Sequence, residues 1–60
     1  MKNNVTIISE GEFVTPASVQ RKIIEDFSFK KNKEVLVKKG DKEGEYDVYQ
    51  NDKYVNTYQE

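Results

Sequence analysis

The chain has no cysteine, no histidine and no tryptophan, and it carries one proline and three glycines. Without cysteine there is no disulfide staple and no thiolate metal site. Without histidine, the commonest zinc ligand and the usual general base near neutral pH are both missing. No apolar run is long enough for a membrane span or a signal-peptide core. No glycine-rich phosphate loop occurs, and "GDKEGEYD" (40–47) lacks the ligand spacing of a calcium loop. Ser9, Ser18 and Ser28 have no evident base nearby in sequence. An enzyme is therefore not expected, nor a cofactor, a metal or a small-molecule substrate. So short a chain also struggles to enclose a deep pocket.

What remains is 60 residues, read as a single small domain over 1–60. A chain of this size buries only about 60% of the surface its unfolded form exposes. Small domains usually rely on a disulfide, a metal or a second subunit. Only the last is open here, so a homodimer is expected. Apolar and charged residues each make up 35%, and the formal net charge is −1. No global field then draws the protein to nucleic acid or to a membrane. The missing cysteines fit a reducing cytoplasm, which is the expected location.

The apolar residues are patterned. "VTIIS" (5–9) is short and β-branched, and reads as a strand. "EGE" (10–12) is a turn signal, after which "FVT" (13–15) has the composition to pair back as a second short strand. "TPASVQRKIIEDF" (15–27) is the clearest helix. Thr15 suits the N-cap and Pro16 the first helical position. Val19, Ile23 and Phe27 recur at i, i+4 and i+8, with Ile24 beside them, as one apolar stripe. Three further strands follow at 34–39, 45–50 and 53–58, separated by "GDKEG" (40–44) and by Asn51–Asp52. The expected fold is α+β: one helix packed on a small antiparallel sheet, in the order β-(β)-α-β-β-β.

All four tyrosines lie in "YDVYQNDKYVNTY" (46–58). A two-residue loop at Asn51–Asp52 pairs Tyr49 with Tyr54, Val48 with Val55, Tyr46 with Thr57 and Glu45 with Tyr58. In the preceding hairpin, pairing Lys38 with Glu45 sets Val37 against Tyr46, Leu36 against Asp47 and Val35 against Val48. Both hairpins then choose one core face, made of Val35, Val37, Tyr46, Val48 and Val55. The other face receives Leu36, Tyr49, Tyr54 and Tyr58. With a single helix to cover the sheet, those four residues form a candidate protein-binding surface, since tyrosine gives large contact area at low entropy cost.

Charge is divided along the chain. Residues 30–42 hold six lysines against two acids, and residues 43–60 hold one lysine against five acids. Mutual neutralisation across the hairpin is the expected use of this division. A basic edge for phosphates beside stacking tyrosines is the alternative.

Over residues 5–37 the chain resembles the AbrB/MazE-type swapped-hairpin DNA-binding family. The resemblance is carried by "VTIISEGEFVTPASVQRK", a strand, glycine turn, short strand, proline and helix, and then by "FSFKKNKEVLV". It implies an intertwined dimer acting as a DNA-binding regulator or antitoxin. Lys2, Arg21 and Lys22 would be its DNA-binding residues. Glu12 departs from the basic or glutamine residue often found after the turn glycine, and the last hairpin has no counterpart. The reading favoured by the residues themselves is different. It is a small non-enzymatic regulator or inhibitor, of phage or mobile-element type, that binds another protein, itself, or both.

Overall fold

The computed structural model describes residues 5–60. The elements are β1 (Thr6–Ser9), α1 (Ala17–Phe27), β2 (Glu34–Lys39), β3 (Glu45–Gln50) and β4 (Lys53–Gln59). The fold is α+β, one helix over a four-stranded mixed sheet in the order β1-β2-β3-β4. The sheet is not wholly antiparallel as expected. β1 runs parallel to β2, because a helical crossover separates them and returns the chain in the same direction. Residues 13–15 form no strand. Phe13 instead turns its ring onto Tyr46, centroids 5.7 Å apart, and so closes one end of the core.

α1 begins one residue later than the sequence pattern suggests. Pro16 takes the cap position with extended backbone, and no side chain caps the helix. Thr15 is buried, and its hydroxyl shares a hydrogen bond with that of Ser9 at 2.6 Å. The hydroxyl expected to cap the helix is thus spent tying the crossover to the end of β1. The Gln20 side-chain amide donates to the Thr15 carbonyl at 3.0 Å and ties the helix to the segment that precedes it.

The apolar stripe behaves as its spacing dictates. Val19, Ile23 and Phe27 are buried on the sheet, against Val35, Val37, Tyr46, Val48 and Tyr58. Each fully buried aliphatic or aromatic side chain contributes roughly 1.5–3 kcal/mol. A core of eight residues is therefore small but continuous.

Both hairpins depart from the expected register. In β2–β3 the pairs are Leu36 with Tyr49, Val37 with Val48, Lys38 with Asp47 and Lys39 with Tyr46. This is a two-residue shift, which leaves every side chain on its expected face. The turn is tighter than assumed: the Gly40 N–H donates to the Glu45 carbonyl at 2.7 Å. A β-carbon on Gly40 would lie 2.9 Å from that of Glu45, so the approach needs glycine. Lys38 therefore does not meet Glu45. Its amine lies 3.2 Å from Glu10, the one ion pair among the described residues. The expected neutralisation across the hairpin is not built from direct ion pairs there.

In β3–β4 the loop forms as expected. Asn51 and Asp52 both have positive φ (53° and 63°), and Gln50–Lys53 and Tyr49–Tyr54 pair. Beyond that point Val48 faces Asn56 rather than Val55. Val55 is an extra residue, a β-bulge, and it is 41% exposed rather than in the core. Everything after it moves on by one, so Tyr58 faces Tyr46 and enters the core at 7% exposure.

Candidate protein-binding face

α1 covers one face of the sheet. On the other face the register sets four side chains in one row across all four strands: Ile8, Leu36, Tyr49 and Tyr54. At about 4.8 Å per strand the row spans roughly 14 Å. Ile8 is 52% exposed and Tyr54 58% exposed, with Leu36 and Tyr49 half-buried between them. The two tyrosine rings meet edge to face, 5.9 Å between centroids at 75°. The Lys38 amine sits 4.7 Å over the Tyr49 ring, close enough for cation–π attraction. These contacts hold the two rings against each other and the Tyr49 ring against Lys38.

A polar row runs beside the apolar one. Glu10 pairs with Lys38, Lys38 lies opposite Asp47, and Asp47 lies opposite Thr57. The Thr57 hydroxyl donates to Asp47 at 2.8 Å. Its single proton is used there, so the Tyr54 hydroxyl, 2.7 Å away, must be the donor to Thr57. This relay ties the Tyr54 ring along β4 toward Thr57. At the other side of the row, Ile8, Leu36, Tyr49, Glu34 and Gln50 line a shallow depression of about 160 Å³. The Gln50 amide donates to the carbonyls of Asn32 and Glu34, at 2.8 and 3.1 Å, and closes that side. The result is an apolar strip with internally satisfied polar margins.

Of the four residues assigned to this face from sequence, the structure brings together Leu36, Tyr49 and Tyr54. Tyr58 is a correction. It lies on the opposite face, where its hydroxyl donates to the Asp26 carboxylate of α1 at 2.6 Å. Burial first, and then donation to Asp26, push its pKa from 10.0 up to about 12. Ile8 joins the row and was missed. Its β-branched strand was legible, but nothing in the sequence said that β1 lies beside Leu36.

Lys2 lies outside the described residues. Arg21 and Lys22 are exposed on α1, and the Lys22 amine donates to the Gln59 carbonyl at 2.6 Å. Among the described residues no group of three or more acidic side chains could hold a metal, and no helix is long and apolar enough to cross a membrane. No family model, no curated protein and no solved structure matches the chain. The resemblance to the swapped-hairpin family therefore rests on residues 5–37 alone.

Proposed function

We propose that this protein works by occupying a surface of another protein with the open face of its sheet, as a small regulator or inhibitor. The observation that carries this reading is the row Ile8–Leu36–Tyr49–Tyr54, four apolar or aromatic side chains in register on a face that no element among the described residues covers. Small monomeric domains seldom leave a contiguous patch of this kind unused. Aromatic anchors ringed by satisfied polar groups are the usual make-up of a binding hot spot. The matching partner surface is an apolar helix or sheet face about 14 Å long. The homodimer expected from chain length belongs to the same proposal.

The test is a photo-crosslinking residue at position 54 in the source cells, with one at Glu25 on the wet side of α1 as control. A single dominant protein adduct from position 54 and none from 25 is the expected result. The adduct partner, once purified, should bind Tyr54→Ala at least about ten-fold more weakly than the native chain, at unchanged circular dichroism. An affinity unmoved by that substitution, or no adduct at all, removes the face from consideration. Salt-sensitive duplex-DNA binding that Arg21→Ala abolishes would put the regulator of swapped-hairpin type in its place.

A further inference from the structure

The two edges of the sheet are unlike. β4 is guarded in the ways natural edges usually are, with a bulge at Val55 and a lysine at position 53. β1 reads Thr-Ile-Ile-Ser, with no charge, no proline and no bulge. Its backbone is half used. The Thr6 N–H donates to the Lys33 carbonyl at 2.7 Å, and the Glu10 N–H to the Val37 carbonyl at 2.9 Å. In a parallel ladder alternate residues face the neighbour, so Ile8 shares that direction while Ile7 and Ser9 point away. Their N–H and C=O groups have no main-chain partner among the described residues.

We infer that this edge takes a second copy of itself, antiparallel, with the two-fold axis at Ile8. Three features argue for a copy of this chain. In an antiparallel pair directly opposed residues share a face, which restricts self-pairing to few registers. The register centred on Ile8 sets Ile7 against the partner's Ser9, and Ser9 against the partner's Ile7. Those are the outward-pointing residues, and they exchange four main-chain hydrogen bonds. The same register sets Ile8 against the partner's Ile8 as a non-hydrogen-bonded pair, where side chains approach closest. It also places the Thr6 hydroxyl opposite the partner's Glu10 carboxylate.

The row on the open face gives the second argument. Pairing at Ile8 joins the two rows end to end, Tyr54–Tyr49–Leu36–Ile8 running straight into the partner's Ile8–Leu36–Tyr49–Tyr54. The product is one eight-stranded sheet with an apolar strip about 34 Å long. The third argument is size: a chain of 60 residues with no cysteine gains most from a second subunit. The inference rests on the proposed binding face and extends it, since the surface offered to a partner becomes two-fold symmetric.

Four main-chain bonds and one isoleucine pair make a small interface, so dimerisation belongs in the micromolar to millimolar range. The test is sedimentation of the full chain, made by chemical synthesis, up to about 1 mM. Doubling of the 7.0 kDa mass is expected. N-methylation of the Ser9 amide, which deletes one outward donor and no side chain, should hold the mass at 7.0 kDa. Ile8→Lys should do the same by a separate route. Tyr54→Ala should dimerise as the native chain does. As the register check, Ile8→Cys should form an intermolecular disulfide at least ten-fold faster than Thr6→Cys, whose partner lies about 13 Å away.

A native chain that stays monomeric overturns the inference. So does a dimer indifferent to N-methylation at Ser9 and to Ile8→Lys, or equal oxidation at positions 6 and 8. A monomer that still forms the adduct through position 54 removes the edge and leaves the binding face standing. A dimer abolished by Tyr54→Ala removes both, because the face is then spent on self-association.

Discussion

β4 carries two tyrosines four residues apart, and they end on opposite faces of the sheet. An even spacing in a regular strand keeps two side chains on one face. Between Tyr54 and Tyr58, however, Val55 is inserted without a partner on β3, and the alternation skips a beat. Tyr54 remains in the open row. Tyr58 crosses over, pairs with Tyr46 and reaches Asp26 on the helix. One residue thus divides the strand into a half that presents and a half that anchors. The same residue type serves both, so the difference between an exposed tyrosine and a core tyrosine is here a matter of register and not of chemistry.

The difference between the faces should be largest when apolar bulk is removed. Phe27→Ala empties the centre of the covered face and should cost about 3–5 kcal/mol. Whole domains of this length hold about 3–9 kcal/mol, so the variant should lose a large share of its stability, read as a drop in the urea midpoint by circular dichroism. Leu36→Ala deletes three carbons, against the six lost in Phe27→Ala, from the open face, where Leu36 is half-buried. It should cost about 1 kcal/mol and leave a cooperative urea transition. Equal losses at the two positions would mean that the open face is as much a core as the covered one, and the contrast would fail.

How far this contrast could be read from sequence depends on which interactions were local. The helix stripe Val19, Ile23, Phe27 and the Asn51–Asp52 loop follow from period and turn chemistry, and both stand in the structure. The core face of β2 and β3 was also legible. An error of two residues in register changes the partners but not the faces. Three things were not legible. The bulge at Val55 has no local signature, because valine suits a regular strand as well as a bulged one. The side of the sheet joined by β1 depends on how the crossover packs, and so Ile8 was missed. Thr15 has the chemistry of an N-cap and spends it on Ser9 instead, a tertiary contact overriding a local preference.

An intermediate effect is expected from Tyr58→Phe. The phenol donates to a carboxylate, and bonds to charged groups are the stronger kind, though Asp26 keeps its access to water when the donor is removed. About 1 kcal/mol should be lost, measured by urea unfolding at pH 7. The contribution also has a pH window. The folded-state pKa is raised from 10.0 to about 12, so the folded state holds the proton more tightly than the unfolded one. That stabilisation is fully present below pH 10 and is lost as pH rises toward 12. The gap in stability between the native chain and Tyr58→Phe should therefore be constant at neutral pH and shrink across that range. A gap that stays constant to pH 12, or an absorbance titration at 295 nm in which Tyr58→Phe removes no late-titrating phenol, would contradict the anchoring role.

The smallest effect is the same substitution on the other half of the strand. Tyr54→Phe also deletes one hydroxyl that donates over a short distance, 2.7 Å against 2.6 Å for Tyr58. Geometry alone would make the two losses equal. Their surroundings differ: Tyr54 is 58% exposed and its acceptor Thr57 keeps its own bond to Asp47, whereas Tyr58 is 7% exposed. Water replaces the lost bond at position 54, and the cost should be under about 0.5 kcal/mol. Stability is the wrong place to look for what the Tyr54 hydroxyl does. The relay through Thr57 to Asp47 orients the ring, so its loss should appear as weaker binding to the crosslinked partner while the unfolding midpoint stays put. Should Tyr54→Phe instead destabilise the fold as much as Tyr58→Phe, the open row would be a structural element in its own right, and the division of β4 into a presenting half and an anchoring half would not hold.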